Sequence, residues 1–285
     1  TRSKLRREER FAPAAGPPRL TRFARIAALV VASLLCGGGV VIAAERIQES
    51  RVAEILLERN RVRLELAQRR VEVGAELLEA ERLRFQEGLV PRSGVLEAEG
   101  RVADLERARD HLGLDRDEMS ASRRDVDTRI SAPLVGPRDF VSERLRIDRA
   151  WYERTRTMRI EAAERARARY EAGFESVARH TEARQAAELA SEDLVRVDAR
   201  LELRADFVLG RFDATECERR DLRGDVEFRR ARLVRQKKQL VEQLERARLI
   251  EAEGLGSGEV TRLKSVGETI DVELQLIDLE LDLLQ

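Results

Sequence analysis

Apolar residues in this chain recur at spacings of three, four and seven, the period of a helix face, and nowhere alternate as a strand does. One stripe runs through Ile55, Val62, Leu66, Val73, Leu77 and Ala80, and the next through Val95, Ala98, Val102, Leu105 and Leu112. A third holds Ala187, Ala190, Leu194, Val197 and Leu201, and a fourth Leu222, Val226, Leu233, Leu240 and Leu244. The last helix carries two. Val260, Leu263, Ile270, Leu274, Ile277, Leu281 and Leu284 form one seam, and Val272, Leu276, Leu279 and Leu283 a second. A helix apolar on two faces is packed on two sides, so this one is expected at the centre or against a partner.

Breaks fall at 88–94, 132–139, 172–176, 209–213 and 254–258, where Gly offers a left-handed stop and Pro blocks continuation. Asp213 followed by Glu216 reads as a capping box. The pattern predicts an all-α fold: an elongated antiparallel bundle of about six long helices, or three hairpins, over residues 45–285.

The segment before it has a different character. Residues 26–44, IAALVVASLLCGGGVVIAA, hold no charge, and at 1.5 Å per residue they span about one hydrocarbon core. The tail at 1–25 carries Arg2, Lys4, Arg6, Arg7, Arg10, Arg19, Arg22 and Arg25 against Glu8 and Glu9. These features predict a retained transmembrane helix with its N-terminus in the cytoplasm. In a bacterium the expected location is the inner membrane, with the bundle in the periplasm. A cleaved leader would be cut near Val41-Ile42-Ala43, but the apolar run is long for one. Leu35 stands where acylation of Cys36 would need a small residue. Ser33 with Gly37, and Gly39 with Ala43, are small-residue pairs that would let another helix approach closely, although glycine is also common in membrane helices.

This topology has two ends. The turns at Gly88, Gly173 and Gly254 are expected about 60 Å from the membrane. The turns at 132–139 and 209–213 lie near it and are apolar, with Leu134, Val135 and Phe140 in one and Phe207 and Phe212 in the other. They either close the base on each other or rest on lipid or a membrane partner.

Charge adds one exclusion. The 54 basic and 54 acidic residues cancel, and 38% of the chain is charged, so the surplus of positive charge that nucleic-acid binding requires is missing. Such dense, balanced charge fits long helices laced with i,i+4 pairs. His111 and His180 lie in different helices, away from carboxylates or Cys at ligand spacing, and no nucleotide, hydrolase or haem motif is present. No enzyme activity, cofactor, metal or small-molecule substrate is therefore expected. Trp151 and Tyr152 serve either as a core anchor or as a partner hot spot.

The turns at the far end repeat. Phe85-Gln-Glu-Gly88-Leu89, followed by Glu97-Ala98, aligns with Tyr170-Glu-Ala-Gly173-Phe174, followed by Glu182-Ala183; Gly254-Leu255 is a weaker third copy. An aromatic residue three before Gly, then an apolar residue and a helix restart, resembles the hairpin tips of the TolC-like outer-membrane efflux family, over about 30 residues per copy. The resemblance implies long hairpins whose tips, Gly88, Leu89, Gly173 and Phe174, meet a periplasmic adaptor. That family also builds a β-barrel, and no segment here alternates as its strands would, so a channel is not implied.

Two expectations follow. One is a non-enzymatic, membrane-anchored accessory subunit of a larger inner-membrane complex, with a photosynthetic, respiratory or transport host. Its partners would be other membrane subunits, and lipid through residues 26–44 and the basic tail. The other is a periplasmic component of a TolC-like efflux or secretion assembly that docks through its glycine tips.

Overall fold

The structure, a computed structural model, describes the backbone of residues 22–252 and 258–284 and the side chains of 51–252 and 258–284. Six helices follow one another: α1 (Arg22–Gln86), α2 (Arg92–Ser122), α3 (Phe140–Glu171), α4 (Val177–Val208), α5 (Ala214–Ala252) and α6 (Glu259–Leu283). Among the described residues there is no strand, only an isolated bridge between Val135 and Arg138. The all-α expectation therefore holds. None of the described helical segments is long and apolar enough to cross a membrane. The side chains of the run at 26–44, with Ser33, Gly37, Gly39 and Ala43, lie outside the described residues, as does Gly254.

The chain divides into two units, residues 1–52 and 53–285. In the second, helices pack on their neighbours in sequence: α2 on α3, α3 on α4, α4 on α5 and α5 on α6. The end of α1 joins through Leu78, which packs with Val95 and Ala98 of α2. Close approach is possible because α1 carries Gly74 there. A Cβ on Gly74 would stand 2.9 Å from Leu105 Cδ1.

Charged ladders tie the neighbours together. Arg154 pairs with Glu106 at 2.8 Å across α3 and α2, Arg149 with Asp198 at 2.7 Å across α3 and α4, and Arg200 with Asp221 at 2.8 Å across α4 and α5. Arg230 pairs with Asp278 at 2.6 Å and Lys237 with Asp271 at 2.5 Å across α5 and α6. Apart from the part-buried Arg200–Asp221 pair, these are largely exposed, and exposed pairs are worth only a few tenths of a kcal/mol to about 1 kcal/mol each, so they set register more than stability.

Three expectations need correction. The stripe Ile55, Val62, Leu66, Val73 and Leu77 is not the face α1 buries: these residues are 45–66% exposed. The buried seam is Asn60, Leu64, Ala67 and Leu78, displaced by ~135° at 100° per residue. In α5, Leu222 is exposed while Val226 is buried. In α6 the first seam packs inward, with Val260, Leu263, Ile270 and Ile277 buried, but the helix is not central, and Val272, Leu276, Leu279 and Leu283 are exposed.

A fourth difference concerns α2, which ends at Ser122 rather than near 132. Its cap, Arg123, is left-handed at φ 57° and donates to the Met119 carbonyl. Beyond it, Asp125 Oδ1 accepts from the Val126 amide and Asp127 Oδ1 from the Arg129 amide. Short acidic side chains that capture amides in this way compete with the helix.

Candidate functional site

Among the described residues, the base, the tips and the two edge helices carry the features that bear on other molecules.

The base is organised round Arg204, which is fully buried. Its Nε donates to Asp139 Oδ1 at 3.0 Å and its Nη2 to the same oxygen at 2.8 Å. Its Nη1 donates to the carbonyls of Ile130 at 2.7 Å and Ala132 at 2.6 Å. One side chain of α4 thereby holds the whole α2–α3 connection. Asp139 also caps α3, accepting from the Ser142 amide at 3.2 Å. Burial alone would raise the Asp139 carboxyl, but the hydrogen bonds from Arg204 and Ser142 outweigh it and hold it below the usual carboxylate range. Ser131 donates both its amide and its hydroxyl to Glu218 of α5.

Round this clamp, Ile130, Ala132, Val141, Leu145 and Cys217 form a core, joined by Leu201, Leu203, Phe207 and Phe212. Phe140 is buried under the Arg138 guanidinium, 4.3 Å from its ring. The apolar turn residues thus divide. Phe140, Phe207 and Phe212 close the base. Leu134, at 46% exposure, and Leu209, at 69%, face out, and Val135 is half-buried. Burial pushes the Cys217 thiol up to about 11, with Glu218 and Asp221 adding to the effect.

The tips share one geometry. Gly88 (φ 73°) donates to the Phe85 carbonyl at 2.9 Å, and Leu89 to that of Arg84 at 2.8 Å. Gly173 (φ 76°) donates to Tyr170 at 2.9 Å, and Phe174 to Arg169 at 2.8 Å. These are Schellman closures, in which the residue after Gly ordinarily covers an apolar side chain of the last turn. Here Leu89 and Phe174 stand out, 66% and 79% exposed. Tyr170 stacks with His180 at 5.2 Å between ring centroids.

Sequence reasoning missed two clusters. His111 Nε2 lies 2.8 Å from Asp148 Oδ1, which also accepts from Arg107 Nε at 2.7 Å. Burial would raise Asp148, but His111 and Arg107 together hold it low. Arg107 also lies over the Trp151 ring at 4.4 Å, and Trp151 Nε1 donates to Asp104 at 2.8 Å. Trp151 is therefore a half-buried clasp between α2 and α3. The second cluster joins Arg144 to Asp115 and Glu118, with Arg144 and Glu118 both buried. Nothing local announces either one, because each partner comes from the facing helix. Among the described residues, no three His, Cys, Asp or Glu side chains converge as a metal site requires.

The edges are the apolar faces left over: Ile55, Val62, Leu66, Val73 and Leu77 on α1, and Val272, Leu276, Leu279 and Leu283 on α6. In comparisons with known proteins, the chain matches no family model, no curated protein and no solved structure.

Proposed function

We propose that this chain is a structural subunit, held in a membrane by the apolar run at 26–44, whose helices form a scaffold for other chains. The observation that carries this reading is the pair of uncovered apolar edges. Leu276, Leu279 and Leu283 are 57%, 60% and 87% exposed, and Val73 and Leu77 are 55% and 61% exposed. Covering one such side chain is worth about 1.5–3 kcal/mol, and contiguous apolar stripes of this kind mark interaction surfaces. The charge-free run and the basic residues before it support the anchor and its cytoplasmic N-terminus. The side chains that could do chemistry at the base, Arg204, Asp139 and Cys217, are already engaged in packing and hydrogen bonds, which favours a scaffold over an enzyme.

Purification of the full chain in a mild detergent tests this reading. Other membrane subunits should co-purify at fixed ratio, and a chain recovered alone and monomeric would overturn it.

A second reading has its own observation. Leu89 and Phe174 each follow a glycine closure, and both are largely exposed. They would suit docking of a periplasmic partner at the tips, as the TolC-like resemblance implies. Replacing both with Ser should abolish that docking and leave the helix content unchanged. Undiminished partner recovery would sink the second reading.

A further inference from the structure

A groove of about 660 Å³ runs between α2 and α3. It begins at the tips, among Pro91, Arg92, Glu175 and Arg179, and ends against Asp104 and Trp151. At 1.5 Å per residue the stretch of α2 from Arg92 to Asp104 is ~18 Å long, about three turns of helix. Leu96 and Gly100 of α2 and Met158, Ala162 and Ala166 of α3 line it with apolar or small groups, all half-buried.

Its second property is charge. Six arginines line it: Arg92 and Arg101 from α2, Arg159, Arg165 and Arg169 from α3, and Arg179 from α4. Three acids do so, Glu97, Asp104 and Glu175. Few of these charges are satisfied by one another. Arg165 donates to Glu161 at 2.8 Å, and Arg169 stands 3.2 Å from Glu175. Arg92 has Glu161 at 3.8 Å and Glu99 at 3.9 Å, Arg101 has Glu97 at 3.8 Å, and Arg179 has Glu175 at 3.9 Å. All four separations lie beyond hydrogen-bond reach. Among the described residues Arg159 makes no ion pair. Of the acids, Asp104 accepts from Trp151 Nε1 at 2.8 Å, and Glu175 is enclosed by Arg169 and Arg179. Arg92, Arg101, Arg159 and Arg179 therefore keep open donors, against Glu97. Both α2 and α4 begin at the tip end of the groove, and neither has an acid in its first turn to offset the positive end of its dipole.

From this we infer that the groove seats an acidic amphipathic helix of a partner subunit. Its apolar stripe lies on Leu96, Met158 and Ala162, and its Glu or Asp side chains reach Arg92 and Arg101 on one wall and Arg159 on the other. The inference rests on the reading of the chain as a structural subunit and names the chemistry of one partner. A planar guanidinium takes a carboxylate through two parallel hydrogen bonds, and the floor removes the stripe from water as other helix-binding grooves do. A bare anion would use the arginines and leave the floor empty. A basic helix would meet like charge on both walls.

Trp151 is the only tryptophan of the chain and lines the groove, so its fluorescence reports occupancy. The probe is a synthetic three-turn helix without aromatic residues, with Leu and Ala on one face and Glu on both flanks. It is titrated into the full chain in mild detergent, beside a twin in which Lys replaces Glu. The Glu helix should shift Trp151 emission saturably, with an affinity that falls as salt screens the charges, and the Lys twin should leave it unchanged. Arg101→Glu combined with Arg159→Glu, both exposed positions, should weaken binding of the Glu helix by about tenfold or more, with circular dichroism unchanged. No response to either helix, an equal response to both, or undiminished binding by the double variant would overturn the inference. Displacement of the Glu helix by inorganic phosphate at matched ionic strength would overturn it too, because the site would then be one for small anions. Co-purification separates it from the function proposed above. A double variant that still brings down every subunit the native chain does removes this inference and leaves the structural-subunit reading standing. A native chain that binds the Glu helix but brings down no subunit removes the host-complex reading alone.

Discussion

Arg204 and Asp139 lie 65 residues apart in sequence and meet through donors at 2.8 to 3.1 Å, with the guanidinium fully buried. The same guanidinium satisfies two loop carbonyls. Removing it strands a carboxylate and two carbonyls in a site shaped for their donor. Arg204→Met should lower unfolding free energy by about 3–5 kcal/mol, read from urea denaturation followed by helical circular dichroism. Arg204→Lys should recover little, because an ammonium lacks the planar fork that reaches Asp139 and both carbonyls together.

Acid should loosen this base and the His111–Asp148 cluster. Asp139 and Asp148 both have carboxyl groups held below the ordinary value of 3.8 in the fold. The unfolded chain therefore binds more protons than the folded one at low pH, and stability falls as pH falls. The contribution is complete above the unfolded value of about 4 and is lost as pH drops through the lower folded values. Urea midpoints measured from pH 6 down to pH 2.5 should decline, and Asp148→Asn should flatten part of the decline. A midpoint that rises on acidification would contradict the assignment.

Glycines at the tips and in the helix interior should respond to alanine for different reasons. At Gly173 a Cβ meets nothing within 4 Å, and the cost comes from the φ of 76°. Gly173→Ala should cost about 1–2 kcal/mol, and Gly173→Asn less. At Gly74 the backbone is helical and the added methyl would meet only the end of the half-buried Leu105 side chain, at 2.9 Å from Cδ1, which can turn aside. Gly74→Ala should therefore be close to neutral or stabilising, the gain in helix propensity of about 1 kcal/mol offsetting the shift of Leu105, as urea denaturation of the two variants would show.

Cys217 offers a probe of the base. It is fully buried, and its thiol is shifted up to about 11, so the reactive thiolate is scarce at pH 8. In a Cys36→Ser chain, iodoacetamide should label Cys217 slowly in the native state and at ordinary thiol rates in urea. Arg204→Met should raise the native rate by opening the same core.

The six-helix all-α fold was legible in the chain because its signals are local. Glycine readily takes the left-handed conformation that ends a helix, and Gly88, Gly173 and Gly210, each three residues after an aromatic one, all do so with positive φ. Asp213 was readable as a cap for the same reason, accepting from the Glu216 amide at 2.8 Å. The other half of that capping box was not: Glu216 turns instead to Arg219 and Arg220, which pull it down to about 2. The end of α2 was hidden because its left-handed residue is Arg123 rather than glycine. The buried face of α1 was hidden more deeply. Its two stripes share one period, and the contact of Leu78 with Val95 and Ala98 on α2, which no local pattern announces, marks the one that is buried. Arg204 looked like any other of the chain's arginines, because its partners sit 65 to 74 residues away.

The succession of neighbour contacts has a kinetic meaning. A hairpin of adjacent helices closes a short loop and forms quickly, whereas the base must bring Ser131 to Glu218 across 87 residues. The hairpin arms should gain helix early, and docking of the α2–α3 connection beneath Arg204 should be the slow event that makes the unit cooperative. Once folded, opening should start at the glycine turns and travel toward the base, so amide protection should grade along the helices, lowest beside Gly88 and Gly173 and highest round Cys217.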